Sequence, residues 1–167
     1  MSDVVSFKVT GLDELQKALE AKGKEGRLAL RIALNAGAGD VKSAMQDTAP
    51  VEAEGPDAGF LKKNIKTKVT LRRNETAGSA KVGATNAIYP SRGGKHGKVS
   101  FRLASGKLVE FMSKHAGAAT AAMVGRFLEF GTRKMTPHPW MSRAWDQSKQ
   151  VAYDHIVRKL KEGLKLQ

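Results

Sequence analysis

The sequence of 167 residues contains no cysteine, so disulfide bonds and thiolate chemistry are excluded. A chain without cysteine suits synthesis in a reducing cytoplasm. No apolar run reaches the roughly eighteen residues of a membrane helix, and the N-terminus lacks the apolar core of a signal peptide. We therefore predict no contact with a membrane. Aromatic residues make up only 6% of the chain and hydrophobic residues 41%, which favours a modest core and much partner-dependent surface.

The residue patterns that accompany catalysis or metal binding are also missing. The four histidines are far apart and share no metal-ligand spacing. They are His96, His115, His138 and His155. The glycine-rich segment before Lys95 lacks the first glycine and the Ser or Thr of a phosphate-binding loop. Most acidic residues are expected in solvated helices or loops rather than paired in a cleft. We therefore predict a protein that is not an enzyme and holds no metal and no cofactor.

What the chain has in excess is positive charge, which is unevenly distributed along a sequence with a formal net charge of +13. Residues 1–60 hold 7 Lys or Arg against 10 Asp or Glu, a net charge of −3. Residues 61–115 hold 13 against 2, a net charge of +11, and residues 116–167 hold 9 against 4, a net charge of +5. The basic middle third is either a solvated surface or one that meets nucleic acid or an acidic protein. The sequence leaves both interpretations open.

Hydrophobic periodicity predicts two helices in the first third of the chain. After a short strand at 7–10, apolar residues at helical spacing predict a helix that ends near Gly23. A longer helix is predicted over 25–47. Its apolar face is expected to comprise Leu28, Ile32, Ala36, Val41 and Met45. Gly37 and Gly39 inside this helix indicate either a kink or close approach of another backbone. We favour close approach, because the apolar face continues through them without a change of phase.

Alternating side chains predict two hairpins in the middle of the chain. Strands over 65–73 and 79–84 form the first, with apolar residues on one face and a basic ladder on the other. The ladder consists of Lys66, Lys68 and Arg72. Such a ladder also protects sheet edges against aggregation, so it is not by itself a nucleic-acid signature. A second hairpin is predicted near 99–111. It belongs to segment 91–123, which we expect to be an arm inserted in a single domain spanning 1–167.

The segment 128–145 connects a predicted strand to a C-terminal helix. Alternation predicts the strand over 124–130, and the glycine that follows it can take the positive φ that ends a strand sharply. The helix is predicted over 140–162, with Gly163 as its cap. The residues expected to anchor this connection are Phe130, Gly131, Pro139, Trp140 and Trp145. Together the elements predict an α+β fold in which an antiparallel sheet packs against the long helix and the C-terminal helix, with an extended arm.

Glu129 lies between two apolar residues at the end of the predicted strand. One interpretation is simple alternation, in which Glu129 faces the side opposite to Leu128 and Phe130. The other is an ion pair across a subunit boundary, with Arg126 or Arg133 as the partner. Neither interpretation requires catalysis.

Several short motifs occur in the order found in one family of phage proteins. They are Gly-Leu-Asp-Glu-Leu at 11–15, Ala-Pro at 49–50, Gly-Phe-Leu-Lys-Lys-Asn-Ile at 59–65, Glu-Phe-Gly-Thr at 129–132 and Pro-Trp-Met at 139–141. In these motifs the chain resembles the tail-completion, or head–tail joining, proteins of long-tailed bacteriophages. The resemblance covers about residues 7–90 and 124–160, and it leaves the function of 91–123 open.

This resemblance implies a structural function at the head–tail junction of a virion. Proteins of this kind form rings, commonly of six subunits, around the channel through which the genome passes. The implied partners are further copies of the chain, the tail terminator and the head-completion or connector protein. Non-specific contact with genomic DNA in the channel is a further expectation.

In such a ring we expect two groups of basic residues to face the lumen or an acidic neighbouring ring. They are Lys66, Lys68 and Arg72 of the first hairpin, and Arg92, Lys95 and Lys98 of the glycine-rich loop. The alternative function is a basic nucleic-acid-binding module, which predicts salt-sensitive DNA binding by an isolated monomer. A ring component is instead expected to self-associate, so the oligomeric state discriminates between the two.

Overall fold

A computed structural model describes residues 5–7, 13–52, 58–72, 77–89, 98–102, 106, 108–112, 119–133 and 135–166. The helices are α1 (Asp13–Ala21), α2 (Gly23–Thr48), α3 (Phe60–Lys63), α4 (Ala121–Phe130) and α5 (Met141–Leu164). The strands are β1 (Val5–Phe7), β2 (Val51–Glu52), β3 (Ile65–Leu71), β4 (Gly78–Ala84), β5 (Lys98–Arg102) and β6 (Leu108–Met112). The glycine-rich loop at 90–97 and residues 8–10 of the predicted first strand lie outside the described residues.

The strands form two three-stranded sheets rather than one. The first has the order β1-β4-β3, and β1 runs antiparallel to β4 with Ser6 opposite Lys81. The second has the order β2-β5-β6, and Val99 of β5 lies opposite Phe111 of β6. The second predicted hairpin is therefore confirmed. It is joined by β2, a strand that periodicity does not predict because it is only 2 residues long.

Tertiary contacts divide the chain into two compact units, which are described separately. One is built from 45–66 and 83–144, and the other from 4–44, 67–82 and 145–167. The boundaries between the units fall within α2, β3, β4 and α5.

The second unit is built around the long helix α2. Its buried residues include Ala33, Leu34, Ala38 and Val41. A Cβ added at Gly78 of β4 would lie 2.8 Å from Leu34 Cδ1, and one added at Gly37 would lie 2.5 Å from Ile156 Cγ1 of α5. The sheet and α5 therefore both pack against α2, which confirms the predicted α+β class. Close approach is confirmed at Gly37, whereas a Cβ at Gly39 would meet open space.

The predicted apolar face of α2 is wrong in its first half. Leu28 and Ile32 are 60% and 51% exposed, while Ala29 and Ala33, one position further on, are buried. A Cβ added at Gly163 of α5 would lie 2.7 Å from Ala29 Cβ. Small residues are required where the two backbones come this close, so alanines rather than larger aliphatic residues mark the buried side.

The predicted strand over 124–130 is wrong, because these residues belong to helix α4. Thr120 precedes the first residue of the helix, and its hydroxyl accepts a hydrogen bond from Met123 N at 3.2 Å. This is an ordinary N-cap. The buried residues of α4 then recur at helical spacing: Ala121, Val124, Gly125 and Leu128. Residues 128–130 alternate as in a strand, but the buried residues of the whole segment follow the helical period.

Helix α5 forms as predicted but ends later than predicted. Its buried residues include Met141, Ala144, Ser148, Ala152, Ile156 and Leu160. The helix continues to Leu164, so Gly163 is an interior position and not a cap. The residue with positive φ is Lys165, at 56°. Gly163 is present because α2 leaves no room for a side chain there.

Candidate functional site

Glu129 is buried at the end of α4, with 4% of its surface exposed. One carboxylate oxygen accepts hydrogen bonds from the backbone N–H groups of Trp140 and Met141, each at 2.7 Å. The other accepts from the backbone N–H of Ser142 at 3.0 Å and from the Ser142 hydroxyl. Both oxygens are thus used at the start of α5, where the first N–H groups of a helix have no partner within the helix.

This geometry contradicts the alternation interpretation of Glu129, whereas an ion pair across a subunit boundary stays a prediction. The side chain does not face solvent by alternation, since Glu129 is buried and its neighbour Phe130 is 61% exposed. An ion pair with another chain would compete with four hydrogen bonds made inside the chain. Glu129 is therefore a positioning residue that joins two helices. The positive end of the α5 dipole further favours a carboxylate at this point.

Trp140 completes the same connection from the side of α5. It is 2% exposed, and its indole N–H donates to Gly125 O at 3.0 Å. A Cβ added at Gly125 would lie 3.1 Å from the indole ring, so glycine lets the ring settle on α4. The carbonyl of Trp140 accepts from the Thr48 hydroxyl at 3.0 Å.

The chain between α4 and α5 turns at Gly131, which has φ 73°. A Cβ added there would lie 2.6 Å from Met135 O, so both the backbone angle and the space require glycine. The other residues expected to be anchors behave differently. Trp145 is only half-buried, and Pro139 is exposed. The prediction that Phe130 is an anchor is wrong, because its side chain faces solvent.

A second buried carboxylate, that of Glu52, lies in the same unit. Glu52 is 2% exposed, and its Oε1 accepts from Leu61 N and from the Tyr89 hydroxyl, each at 2.8 Å. The ring of Tyr89 also packs on Phe60, with centroids 4.5 Å apart. Glu52 Oε2 is buried and has no hydrogen-bond partner among the described residues. The sequence does not indicate that Glu52 is buried, because further acidic residues follow it and the segment has the composition of a solvated loop.

Large apolar side chains are exposed on α2, on α4 and, at Val151 and Tyr153, on α5. The α2 surface consists of Leu28 and Ile32, which are one turn apart. The α4 surface consists of Phe130 with the exposed Arg126 one turn before it, and Arg133, also exposed, follows the helix in the sequence. Large apolar side chains that face solvent on regular helices are informative because burial in the core does not account for them.

The predicted basic residues are only partly within the described chain. Lys66, Lys68 and Arg72 are all exposed on or just after β3. Arg92 and Lys95 lie outside the described residues, and Lys98 is described only as the first residue of β5. Whether any of these faces a lumen stays a prediction.

A search of the described ranges for three or more His, Asp or Glu residues able to hold a metal ion finds none. Among the helices in these ranges, none combines the length and the apolar character that crossing a bilayer demands.

Comparison with protein families identifies a family for most of the chain. Residues 13–131 match the family described as "Bacteriophage HK97-gp10, putative tail-component". The matched segment holds α1 to α4 and ends at the Gly131 turn. Comparisons with curated proteins and with solved structures gave no significant match.

Proposed function

Because the chain belongs to this family of bacteriophage tail components, we propose that it is a structural protein of the head–tail junction. Copies of the chain form a ring, of six subunits in our prediction, that completes the tail and joins it to the connector around the DNA channel. The protein acts through its surfaces and not through catalysis. Its partners are other copies of itself, the tail terminator and the head-completion protein.

The observation that carries the ring proposal is the presence of two unlike apolar surfaces on one chain. A ring uses heterologous contacts, in which each subunit offers two different and complementary surfaces. The α2 surface and the α4 surface meet this requirement, since one is aliphatic and the other is an aromatic residue beside two arginines. In the ring the α4 surface of one copy lies against the α2 surface of the next. Arg126 and Arg133 retain their predicted interface role, whereas Glu129 supports the interface from inside the chain.

Crosslinking tests this arrangement without background, because the natural chain has no cysteine. Three variants are prepared: Leu28→Cys, Phe130→Cys and the two substitutions combined. Each is treated with a short bis-maleimide, both as purified protein and in assembled tails. Light scattering and negative-stain imaging of the unmodified protein measure the ring itself.

The proposal expects a ladder of crosslinked multimers for the double variant and no product for either single variant. Dimers from a single variant would indicate that like surfaces meet, which contradicts a heterologous contact. If imaging shows a ring but the crosslinked ladder is missing, the proposed ring stands and its assignment to these two surfaces is rejected. A monomer in solution that is also absent from particles would reject the proposed function.

A further inference from the structure

One face of the sheet β1-β4-β3 carries basic side chains and hydroxyl groups and no acidic residue. Within the second unit this face holds Lys68, Thr70 and Arg72 on β3 and just after it, and Ser79 and Lys81 on β4. Four of these side chains are exposed and Ser79 is half-buried. The alternate positions of β4 are apolar and fully buried, as expected for a sheet with one solvated face. They are Ala80 and Val82.

The pairing of the two strands places like charges opposite each other. Arg72 N donates to Ala77 O at 3.0 Å, and at the other end of the hairpin Thr85 N donates to Asn64 O at 3.0 Å. Both bonds give the same antiparallel register, in which Lys68 lies directly across from Lys81. Like charges in this position destabilise a sheet. In the described part of the chain neither lysine forms an ion pair.

Protection of a sheet edge does not account for all of these basic side chains. Lysine is common on edge strands because it discourages pairing with another chain. Lys68 fits that explanation, since β3 is an edge strand. Lys81 does not, because β4 is the central strand of the sheet. At the end of β3, the guanidinium of Arg27 of α2 donates to Arg72 O at 3.2 Å.

The composition of this face distinguishes between two kinds of acidic partner. The centres of protein–protein interfaces are rich in aromatic residues and depleted of lysine. This face has the opposite character, with two lysines and no aromatic residue among its five members. Hydroxyl and basic side chains are instead the usual partners of phosphate oxygens. Without aromatic residues there is no platform for stacking unpaired bases, so a double-stranded backbone fits better than a single strand.

We propose that this face, centred on Lys68 and Lys81, binds the phosphate backbone of double-stranded DNA without sequence preference. A phosphate placed between the two lysines removes their mutual repulsion, so binding is coupled to a relief of strain in the sheet. The contact is electrostatic and weakens steeply as salt rises. This inference goes beyond the ring proposal and holds whether or not the ring forms.

The test compares two variants of equal charge change in the full chain. The first carries Lys68→Gln and Lys81→Gln. The control carries Lys24→Gln and Lys161→Gln, two exposed lysines at the first turn of α2 and the last turn of α5. Binding to a short random-sequence DNA duplex is measured by fluorescence anisotropy over a series of salt concentrations. Poly-glutamate and single-stranded DNA of the same length serve as competing probes.

We expect the first variant to bind the duplex about tenfold more weakly at low salt. Its slope of log affinity against log salt should fall by about 1.8, which corresponds to two lost phosphate contacts. It should also unfold at a higher urea concentration than the natural chain when no DNA is present. The control should retain the natural slope, and single-stranded DNA should compete no better than duplex.

Three results would overturn the inference. The first is an equal loss of affinity in both variants, which would mean that only total charge matters. The second is tight binding of poly-glutamate with no binding of the duplex, which would identify an acidic protein as the partner. The third is no duplex binding by the natural chain at low salt. None of these results depends on the oligomeric mass, so failure here is distinct from failure of the ring.

Discussion

The two buried glutamates of the first unit show how differently one fold can treat the same side chain. Glu129 uses both carboxylate oxygens, with three backbone N–H groups and one hydroxyl as donors. Glu52 uses one oxygen twice, while the other is buried without a partner in the part of the chain that is described. Their exposures are nearly equal, at 4% and 2%. Burial alone therefore does not determine whether a carboxylate stabilises the fold.

The difference arises from where the donors come from. The start of α5 presents several unpaired N–H groups in one direction, and these are already fixed by the helix. Glu52 instead meets the first turn of a 4-residue helix and one hydroxyl. When hydrogen bonds fully offset the desolvation of a buried carboxylate, replacing that carboxylate destabilises the fold. When the carboxylate is only partly hydrogen-bonded, the fold tolerates the loss of its charge. The following substitutions test this difference.

The largest effect is expected for Glu129→Ala. It leaves the first N–H groups of α5 without acceptors in a buried place, and we expect a loss of about 3 kcal/mol in the free energy of unfolding. Glu129→Gln should cost about 2 kcal/mol, because an amide NH₂ would face backbone donors. Urea unfolding followed by circular dichroism gives both values. A loss below about 0.5 kcal/mol for Glu129→Ala would show that water replaces the carboxylate at no cost.

A smaller loss is expected for Tyr89→Phe. The substitution removes one of the two donors to Glu52 and keeps the ring that packs on Phe60. A charged acceptor that loses a buried hydrogen bond costs about 1–2 kcal/mol. Tyr153→Phe is the matched control, since this second tyrosine is 38% exposed on α5. Equal urea midpoints for the two variants would mean that the Tyr89 hydroxyl does not contribute.

Close to no loss is expected for Glu52→Gln, in contrast to the same substitution at Glu129. The amide oxygen can still accept from Leu61 N and the Tyr89 hydroxyl, and the amide group costs less to bury than a carboxylate. We expect a change between zero and a gain of about 1 kcal/mol in the free energy of unfolding. A loss as large as that of Glu129→Gln would remove the proposed distinction between the two sites.

The smallest effect is expected at Glu162, an exposed glutamate that serves as the reference. A hydrogen bond from Lys159, at 2.7 Å, is the main reason why the pKa of Glu162 lies below its ordinary value of 4.5. A lowered pKa in the folded state stabilises the fold above the ordinary value, and this contribution is lost as the pH falls through the lowered one. Melting temperatures of Glu162→Gln and the natural chain should differ slightly at neutral pH and coincide in acid. Added salt should also abolish the difference.

The long elements of the fold could be predicted from the sequence because their signals are local. The residues of α2 and α5 repeat at helical spacing over six or seven turns, and the strands β3 and β4 alternate clearly. The side of α2 that is buried was harder to predict. Alanine and leucine occur on both sides of this helix, and only the close approach of Gly163 to Ala29 decides between them.

The candidate site was less predictable because its contacts join distant parts of the chain. Glu129 stands out in the sequence as an acid between two apolar residues, but its partners lie 11 to 13 residues later, beyond a turn whose path depends on Gly131. The pairing of Glu52 with Tyr89 spans 37 residues. Neither contact follows a fixed spacing. The alternation at 128–130 also led to the wrong prediction of a strand. It involves only three residues, whereas α4 is a capped helix of 10 residues.

The hydrogen bonds of Glu129 limit where the chain can be truncated. The family match ends at residue 131, while the donors that the described residues provide to Glu129 lie at residues 140 to 142. A polypeptide truncated at the end of the matched segment would keep the carboxylate and lose these donors. The segment shared with relatives is therefore not expected to be an autonomous folding unit, and fragments for expression should extend through the last turn of α5.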